Sequence, residues 1–247
     1  MAGNLGHFSV VWDFKGDLLD GLGKALEITA VSLALAVVAG MILALMRMTP
    51  GPLSWIAWLY INIFRGLPAL VTALWVYFGL ALAINVDFST FQAAVITLTS
   101  LYAAFLAEIF RSALLAVPRG HKEAGQALGM RGTRVFFSVT LPQATKIAVP
   151  NIGSMCIGMV KDTSVLTIIG VTELVRTTQN IVSINFEYFP LFSAIAVIYI
   201  IVAFAVDALF RLVETGYTVP PKGFVSRLLR SRRHKQIARL MAQPATT

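Results

Sequence analysis

Long uncharged runs of apolar residues recur along the chain and predict membrane-spanning helices. Two of these runs, 28–46 and 188–206, are each 19 residues long. At a rise of about 1.5 Å per residue, such a run can cross a hydrocarbon core about 30 Å thick. Three further apolar runs lie at 66–84, 88–107 and 147–172, the last interrupted by a charged pair. The pattern predicts an all-α membrane protein with five transmembrane helices.

The longest polar interruption between these runs is the segment 118–142, PRGHKEAGQALGMRGTRVFFSVTLP. Residues 122–128 are good helix formers apart from one glycine, and Gly129 stands where a helix end favours a left-handed residue. Thr133 is suited to cap a second helix, and Pro142 is suited to the first turn of the helix that follows. The segment is therefore expected to form a helix, a glycine break and a second helix.

This hairpin has two interpretations from its residues alone. Small and apolar side chains would give it a surface for a partner protein, and they are Ala124, Ala127, Leu128, Met130, Phe136 and Phe137. Any loop between transmembrane helices can also form a helical hairpin that has no docking role. Both interpretations are open at this point.

Composition indicates a lipid environment and excludes several chemistries. The 247 residues are 57% hydrophobic and 13% charged, with a mean hydropathy of +0.77, whereas soluble domains carry about 25% charged residues. The single cysteine, Cys156, excludes a disulfide framework and a cysteine-based metal site. The sequence has no GxxxxGKS/T phosphate loop, no HExxH metal motif and no GxSxG nucleophile motif. It is therefore not expected to be an enzyme.

The net charge of +8 is unevenly distributed, and this asymmetry predicts the orientation of the chain. If the C-terminal tail lies in the cytoplasm, sixteen Lys and Arg residues fall on that side and three on the outside. The positive-inside rule then places the N-terminus outside and the 118–142 hairpin in the cytoplasm. After Glu214 the chain has seven basic residues and no acidic one. In so apolar a chain, this tail favours binding to anionic lipid over binding to nucleic acid.

The same pattern divides the chain into three parts: an extracytoplasmic segment at 1–24, a transmembrane domain at 25–215 and a basic cytoplasmic tail at 216–247. The stretch 55–64, rich in Trp and Tyr, is expected to lie at the membrane interface before the second span. Glu173 is expected near the outer surface, where it would cap a helix or contact a partner protein.

A charged and polar cluster interrupts the fourth span at Lys161, Asp162, Thr163 and Ser164. Charges inside a membrane span are costly and usually face a cavity. Adjacent residues point to different faces of a helix, so Lys161 and Asp162 cannot neutralise each other there. In one hypothesis Asp162 binds the ammonium group of a substrate, and Thr163 and Ser164 form hydrogen bonds to it. In the other, the cluster is a packing contact, with Asp162 paired to an Arg or Lys of another span.

The hairpin motif resembles that of a known transporter family. EAGQALG, nine residues and then VTLP is similar to the coupling loop of ABC importer membrane subunits, EAA-x3-G-x9-I-x-LP. Gly125 replaces the second alanine of that pattern, Val139 replaces isoleucine, and His121 stands where glutamine is usual. Four stretches resemble the polar amino acid permease branch in particular: YINIFRGLPALV, EIFRSALLAVPRGHKEAGQALGM, LPQATKIAVP and KDTSVLTIIGVTEL. The likeness covers about residues 20 to 215.

The resemblance implies a type I ABC importer permease, in which a cytoplasmic helix-loop-helix hairpin couples the membrane domain to a separate ATPase. The coupling residues would be Glu123, Ala124, Gly125, Gly129, Met130, Leu141 and Pro142. Lys161, Asp162, Thr163 and Ser164 would line the substrate pathway.

The resemblance also implies several partners. These are an ABC ATPase, an extracytoplasmic amino acid-binding protein, a second permease subunit of the same or a different chain, an amino acid substrate and the lipid bilayer of the bacterial inner membrane. No nucleic acid, metal or cofactor is implied.

A self-sufficient secondary transporter or channel is the alternative function. In such a protein, Lys161 and Asp162 would relay protons or ions across the membrane. An odd number of spans fits two inverted halves within one chain poorly, and a docking hairpin would have no purpose. A membrane enzyme is disfavoured because the catalytic motifs are missing.

Overall fold

The computed structural model describes residues 7–217, and these residues form helices and connecting turns without a β-strand. The α-helices are α1 (Ser9–Asp13), α2 (Lys15–Met48), α3 (Pro52–Gly66), α4 (Ala69–Leu74), α5 (Ala81–Ile84), α6 (Thr90–Ala116), α7 (Arg119–Ala127), α8 (Gly132–Val135), α9 (Leu141–Asp162), α10 (Leu174–Asn185) and α11 (Tyr188–Tyr217). Two π-helical segments, Trp75–Leu80 and Phe136–Thr140, and a 3₁₀-helix, Thr163–Ile169, continue them. The predicted all-α class is confirmed.

Four helical stretches are each long and apolar enough to cross a membrane. They are α2, α6, the run Gly132–Ile169 that contains α8 and α9, and most of α11. A fifth candidate is broken, because α3 and the helical run Ala69–Ile84 meet at an angle of 110°. Counted as one bent span, this pair brings the total to five, the number that the sequence predicts.

The bend after α3 has a local cause at Leu67 and Pro68. Proline disfavours a helical conformation in the residue before it, and Leu67 is extended, with ψ of 134°. α3 buries only Ala57 and Ile61 fully, and it exposes most of its large apolar side chains, although Tyr60 and Phe64 are half-buried. The aromatic stretch 55–64 therefore lies within a helix that ends at this bend.

The centre of the molecule is the contact between α2 and α6, which run parallel. Thr99 on α6 donates a hydrogen bond to the backbone oxygen of Ser32 on α2 at 3.5 Å. Nearer their C-termini, a Cβ added at Gly40 would lie 2.9 Å from Leu106 Cβ. The alanines around this contact are fully buried, and they are Ala36, Ala44, Ala103 and Ala107. Small residues allow such close approach of helices within a membrane.

Both parallel helices end on the side of the molecule that holds the hairpin. Met48, the last residue of α2, lines a shallow cavity with Gln126 and Val135 of the hairpin. α6 continues to Ala116, past the predicted end of the third span at 107. α2 begins at Lys15, inside the predicted N-terminal segment, so the first helix is longer than its apolar run. Most of the predicted basic tail lies outside the described residues.

α9 and α11 pack against each other through a glycine. A Cβ added at Gly153 would lie 2.8 Å from the Phe210 ring, so an alanine there would require the helices to move apart. The other face of α11 is strongly apolar and exposed, at Val197, Ile201 and Phe204. In a membrane protein, such a face lies against lipid or another subunit.

Candidate coupling hairpin and intramembrane site

The hairpin bends at a glycine, as the sequence predicts. Gly129 has φ of +77°, the left-handed conformation that glycine adopts at little cost. Its N–H donates to the oxygen of Gln126 at 2.9 Å, and the N–H of Met130 donates to the oxygen of Gly125 at 3.1 Å. These two bonds form a Schellman motif, which satisfies the last carbonyl groups of α7. The break between α7 and α8 is therefore fixed by the backbone.

Gly125 brings α7 close to α8. It is the one residue of α7 that is buried, and a Cβ added there would lie 3.2 Å from Val135 Cγ2. The side chain of Val135 is itself buried. The glycine at this position thus has a packing role that propensity alone does not suggest.

Two details of the predicted hairpin are wrong. Thr133 does not cap the second helix, because α8 begins at Gly132 and Arg131 occupies the cap position without a side-chain hydrogen bond. Pro142 lies in the first turn of α9, as expected, but it does not follow a break. The backbone stays helical from Gly132 through the π-helical segment into α9, so Pro142 lies within a continuous helical run and does not start a new one.

The outer surface of the hairpin is apolar at its tip and basic beside it. Leu128 is 83% exposed and Phe137 is 65% exposed, although both are large apolar residues. The predicted coupling residues on the exposed part of the hairpin are Glu123, Ala124, Gly129 and Pro142, while Met130 and Leu141 are half-buried. Arg131 and Arg134 are also exposed. The structure therefore presents most of the predicted coupling residues on one accessible element.

A hydrogen bond not predicted from the sequence ties the start of the hairpin to its end. His121 Nδ1 lies 2.7 Å from Gln143 Oε1, which joins α7 to the first turn of α9. Gln143 also donates to the backbone oxygen of Val139 at 2.9 Å. The one signal for this bond in the sequence was His121, which stands where the motif that the hairpin resembles usually has glutamine. This link connects the first helix of the hairpin to the helix that follows it.

The intramembrane cluster lies where α9 changes into the 3₁₀-helix. Lys161 and Asp162 point in different directions, as expected for neighbours on a helix. Lys161 is exposed and lines a cavity of about 380 Å³ with Tyr199, Ala203 and Asp207 of α11. Asp162 faces α6. Within residues 7–217, neither residue forms an ion pair.

Asp162 bonds to a tyrosine. Tyr102 on α6 donates its hydroxyl hydrogen to Asp162 Oδ2 at 3.0 Å. The packing hypothesis expected an Arg or Lys partner, and that detail is wrong for the described residues. A neutral donor satisfies one carboxylate oxygen and leaves the negative charge uncompensated.

The hydroxyls of Thr163 and Ser164 are directed at the backbone. Thr163 donates to the oxygen of Val160, and Ser164 donates to the oxygen of Lys161, each at 2.7 Å. Thr163 is fully buried, whereas Ser164 is half-buried. These bonds stabilise carbonyl groups at the end of α9, where the helical pattern changes.

Glu173 caps α10 and is fully buried. Its Oε1 accepts hydrogen bonds from the backbone N–H of Arg176 at 3.0 Å and from the Thr167 hydroxyl at 2.7 Å. Its Oε2 accepts a hydrogen bond from the Tyr199 hydroxyl at 3.1 Å. The predicted capping role is confirmed, and the burial makes a direct contact with a partner protein impossible in this conformation. The links to Thr167 and Tyr199 could not be predicted from spacing.

Comparison with known proteins places the chain in a family. The family described as "Binding-protein-dependent transport system inner membrane component" matches residues 36–219. The chain belongs to this family.

In the described residues, no group of His, Cys, Asp and Glu could hold a metal ion.

Several members of this family are similar to the chain over most of its length. The glutamine transport system permease protein GlnP of Escherichia coli K12 is 34% identical over 209 residues, covering 84% of this chain and 95% of GlnP. The histidine/lysine/arginine/ornithine transport system permease protein HisQ of the same strain is 30% identical, covering 86% of this chain and 98% of HisQ.

Solved structures agree with the fold. A crystal structure of an amino acid ABC transporter with histidines matches with a TM-score of 0.78 and 31% identity, covering 85% of this chain and 98% of the other. The methionine ABC transporter MetNI in an inward-facing conformation matches with a TM-score of 0.71 at 22% identity. The fold is therefore that of the permeases of type I ABC importers, as the sequence predicts.

Proposed function

We propose that this protein is the transmembrane permease subunit of an ATP-driven amino acid importer. The observation that supports this most strongly is the exposed helix–glycine–helix hairpin, held between two spans of a binding-protein-dependent transport protein. The names of the similar permeases, which transport glutamine or basic amino acids, support an amino acid substrate.

The hairpin couples this chain to a separate ABC ATPase on the cytoplasmic side. Leu128 and Phe137 provide apolar side chains that a groove of the ATPase would bury, and Arg131 and Arg134 lie beside them. ATP can drive transport only if the hairpin makes different contacts in two states of the ATPase, because a ligand with equal affinity for both states shifts no equilibrium. The rigid Schellman turn transmits that difference to α6 and α9.

The other partners follow from the two remaining surfaces. An extracytoplasmic binding protein delivers the amino acid at the end opposite to the hairpin, near α10 and the start of α2. A second permease subunit, identical or related, covers part of the exposed apolar face of the spans and completes the translocation pathway. The N-terminus lies outside and the C-terminal tail in the cytoplasm, in accordance with the positive-inside rule.

This function is tested by reconstitution. In proteoliposomes, we expect amino acid uptake only when the permease, its ATPase, the binding protein and ATP are all present. Uptake that persists without the ATPase and follows an imposed ion gradient would contradict the proposal and favour a secondary transporter. A complex with the ATPase omitted, at the same lipid-to-protein ratio, is the matched control.

The substrate pathway passes the cluster at Lys161, Asp162, Thr163 and Ser164. In our proposal the carboxylate of Asp162 binds the α-ammonium group of the amino acid, and Ser164 lies beside it. Thr163 is buried behind the pathway and holds the junction of α9 and the 3₁₀-helix. A contact to the ammonium group is independent of the substrate side chain, so this part of the site would serve any amino acid.

Replacing Asp162 with asparagine should weaken substrate binding. Asparagine can still accept the Tyr102 hydrogen bond, so the variant removes the charge and retains the packing. We expect KM for uptake to rise about tenfold, because a hydrogen bond to a charged group contributes about 1.5–3 kcal/mol. Uptake kinetics and substrate-stimulated ATP hydrolysis measure the effect. Wild-type values for both would contradict the proposed contact.

A further inference from the structure

One buried hydroxyl joins the two helices on either side of the hairpin. Tyr102 is 6% exposed, and its bond to Asp162 links α6, which enters the hairpin, to the end of α9, which leaves it. Within the described residues, this is the one side-chain hydrogen bond between α6 and α9. Tyr102 lies at the middle of α6, and its hydroxyl is directed towards Asp162 at the end of α9.

A glycine on α9 makes room for the tyrosine. A Cβ added at Gly158 would lie 3.0 Å from Tyr102 Oη. Gly158 and Asp162 are four residues apart, so they lie on the same face of α9. The glycine therefore admits the hydroxyl and the aspartate accepts its hydrogen bond. Gly158 and Asp162 of α9 thus form a single contact site for the Tyr102 side chain of α6.

The contact with Tyr102 occupies only one of the two carboxylate oxygens of Asp162. Oδ2 of Asp162 accepts the hydrogen bond, whereas Oδ1 accepts none from the described residues. An Arg or Lys partner would restrain the carboxylate and also neutralise its charge. A neutral hydroxyl restrains the carboxylate but leaves its charge in place. A half-buried carboxylate held at one oxygen can present the other to a cation at a fixed position.

We propose that Tyr102 is a positioning residue for the substrate pathway. Its hydroxyl fixes the orientation of the Asp162 carboxylate, so that Oδ1 accepts a hydrogen bond from the ammonium group of the substrate. The inference rests on the role of Asp162 in the proposed function. Tyr102 acts through Asp162 and need not touch the substrate.

The test replaces Tyr102 with phenylalanine, which removes the hydroxyl and keeps the ring. We expect KM for uptake in the reconstituted importer to rise about fivefold, with a smaller change in the maximal rate, because a released carboxylate must be ordered on binding. Tyr60→Phe is the matched control. The Tyr60 hydroxyl on α3 donates to the backbone oxygen of Ser100 on α6 at 3.1 Å, so this variant also removes a tyrosine hydroxyl that bonds to α6. That control should leave KM within about twofold of wild type.

A second variant reaches the same bond from the other helix. Gly158→Ala retains both polar groups but forces the Tyr102 hydroxyl to move, and it should also raise KM. An unchanged KM in both Tyr102→Phe and Gly158→Ala would overturn the inference. Size-exclusion profiles in detergent verify that each variant is folded before its kinetics are compared.

Combination with Asp162→Asn distinguishes the possible failures. If Tyr102 acts through Asp162, the double variant has the same KM as Asp162→Asn alone, whereas independent effects multiply. A KM that responds to Asp162→Asn but not to Tyr102→Phe overturns the inference and leaves the proposed function intact. A wild-type KM in Asp162→Asn overturns the pathway role of the aspartate, and this inference with it.

Discussion

Replacing Gly129 with valine is expected to lower amino acid uptake on the order of 100-fold, while the complex continues to hydrolyse ATP, because coupling free energies between sites reach about that factor. The expected cause is the backbone. At φ of +77°, a β-branched residue is strained, and a left-handed conformation costs a non-glycine residue about 1–2 kcal/mol. The Schellman turn would open, and the two helices of the hairpin would lose their fixed angle.

The surroundings of Gly129 make this test specific. A Cβ added there would meet no atom of a non-neighbouring residue within 4 Å, so the expected strain is confined to the local backbone. Gly129→Asn is the matched control, because asparagine tolerates the left-handed conformation better than other residues with a side chain. Uptake and ATP hydrolysis measured in the same proteoliposomes report the ratio of the two rates. Normal coupling in Gly129→Val would show that the hairpin is a passive linker.

Gly125→Ala is a second control within the same hairpin. The coupling-loop motif that the hairpin resembles has alanine at this position, and alanine favours a helix by about 1 kcal/mol over glycine. Its Cβ would press on Val135 at 3.2 Å, so crowding offsets part of that gain. We therefore expect coupling close to wild type. The contrast with Gly129 would separate the need for a particular backbone conformation from the need for a small residue.

Features encoded by neighbouring residues could be predicted from the sequence. The five spans follow from the length of the apolar runs, and the glycine break follows from the helix formers before it. The capping role of Glu173 was also predictable, because it depends on the backbone three residues away. The 110° bend was not predicted, although Pro68 at the start of the second span was an available signal.

Features that join distant parts of the chain could not be predicted in the same way. Tyr102 and Asp162 are 60 residues apart, and Tyr102 lies in an apolar helix where a tyrosine suggests packing. Glu173 and Tyr199 are 26 residues apart and depend on how α10 and α11 pack. The Thr133 cap failed for another reason, since α8 begins at Gly132 and Thr133 therefore lies inside the first turn, not at the cap position.

The buried carboxylate of Glu173 links three helical elements at the end of the molecule opposite to the hairpin. It accepts hydrogen bonds from Thr167 in the 3₁₀-helix, from the backbone of Arg176 in α10 and from Tyr199 in α11. None of the surface of Glu173 is exposed, so water cannot take over its hydrogen bonds unless the surrounding helices rearrange. These contacts hold the 3₁₀-helix, α10 and α11 together next to the intramembrane cluster. They would therefore help to preserve the shape of the proposed pathway.

Replacing Glu173 with alanine is therefore expected to destabilise the protein by about 3 kcal/mol or more, because each buried donor left without a partner costs about 1–3 kcal/mol. The thermal midpoint of the purified permease in detergent, followed by the loss of its monodisperse size-exclusion peak, measures the change. Glu27→Ala is the matched control, since Glu27 forms an exposed ion pair with Lys24 at 2.8 Å. Such pairs contribute little to stability. Equal midpoints for the two variants would mean that the buried network around Glu173 does not hold α10 in place.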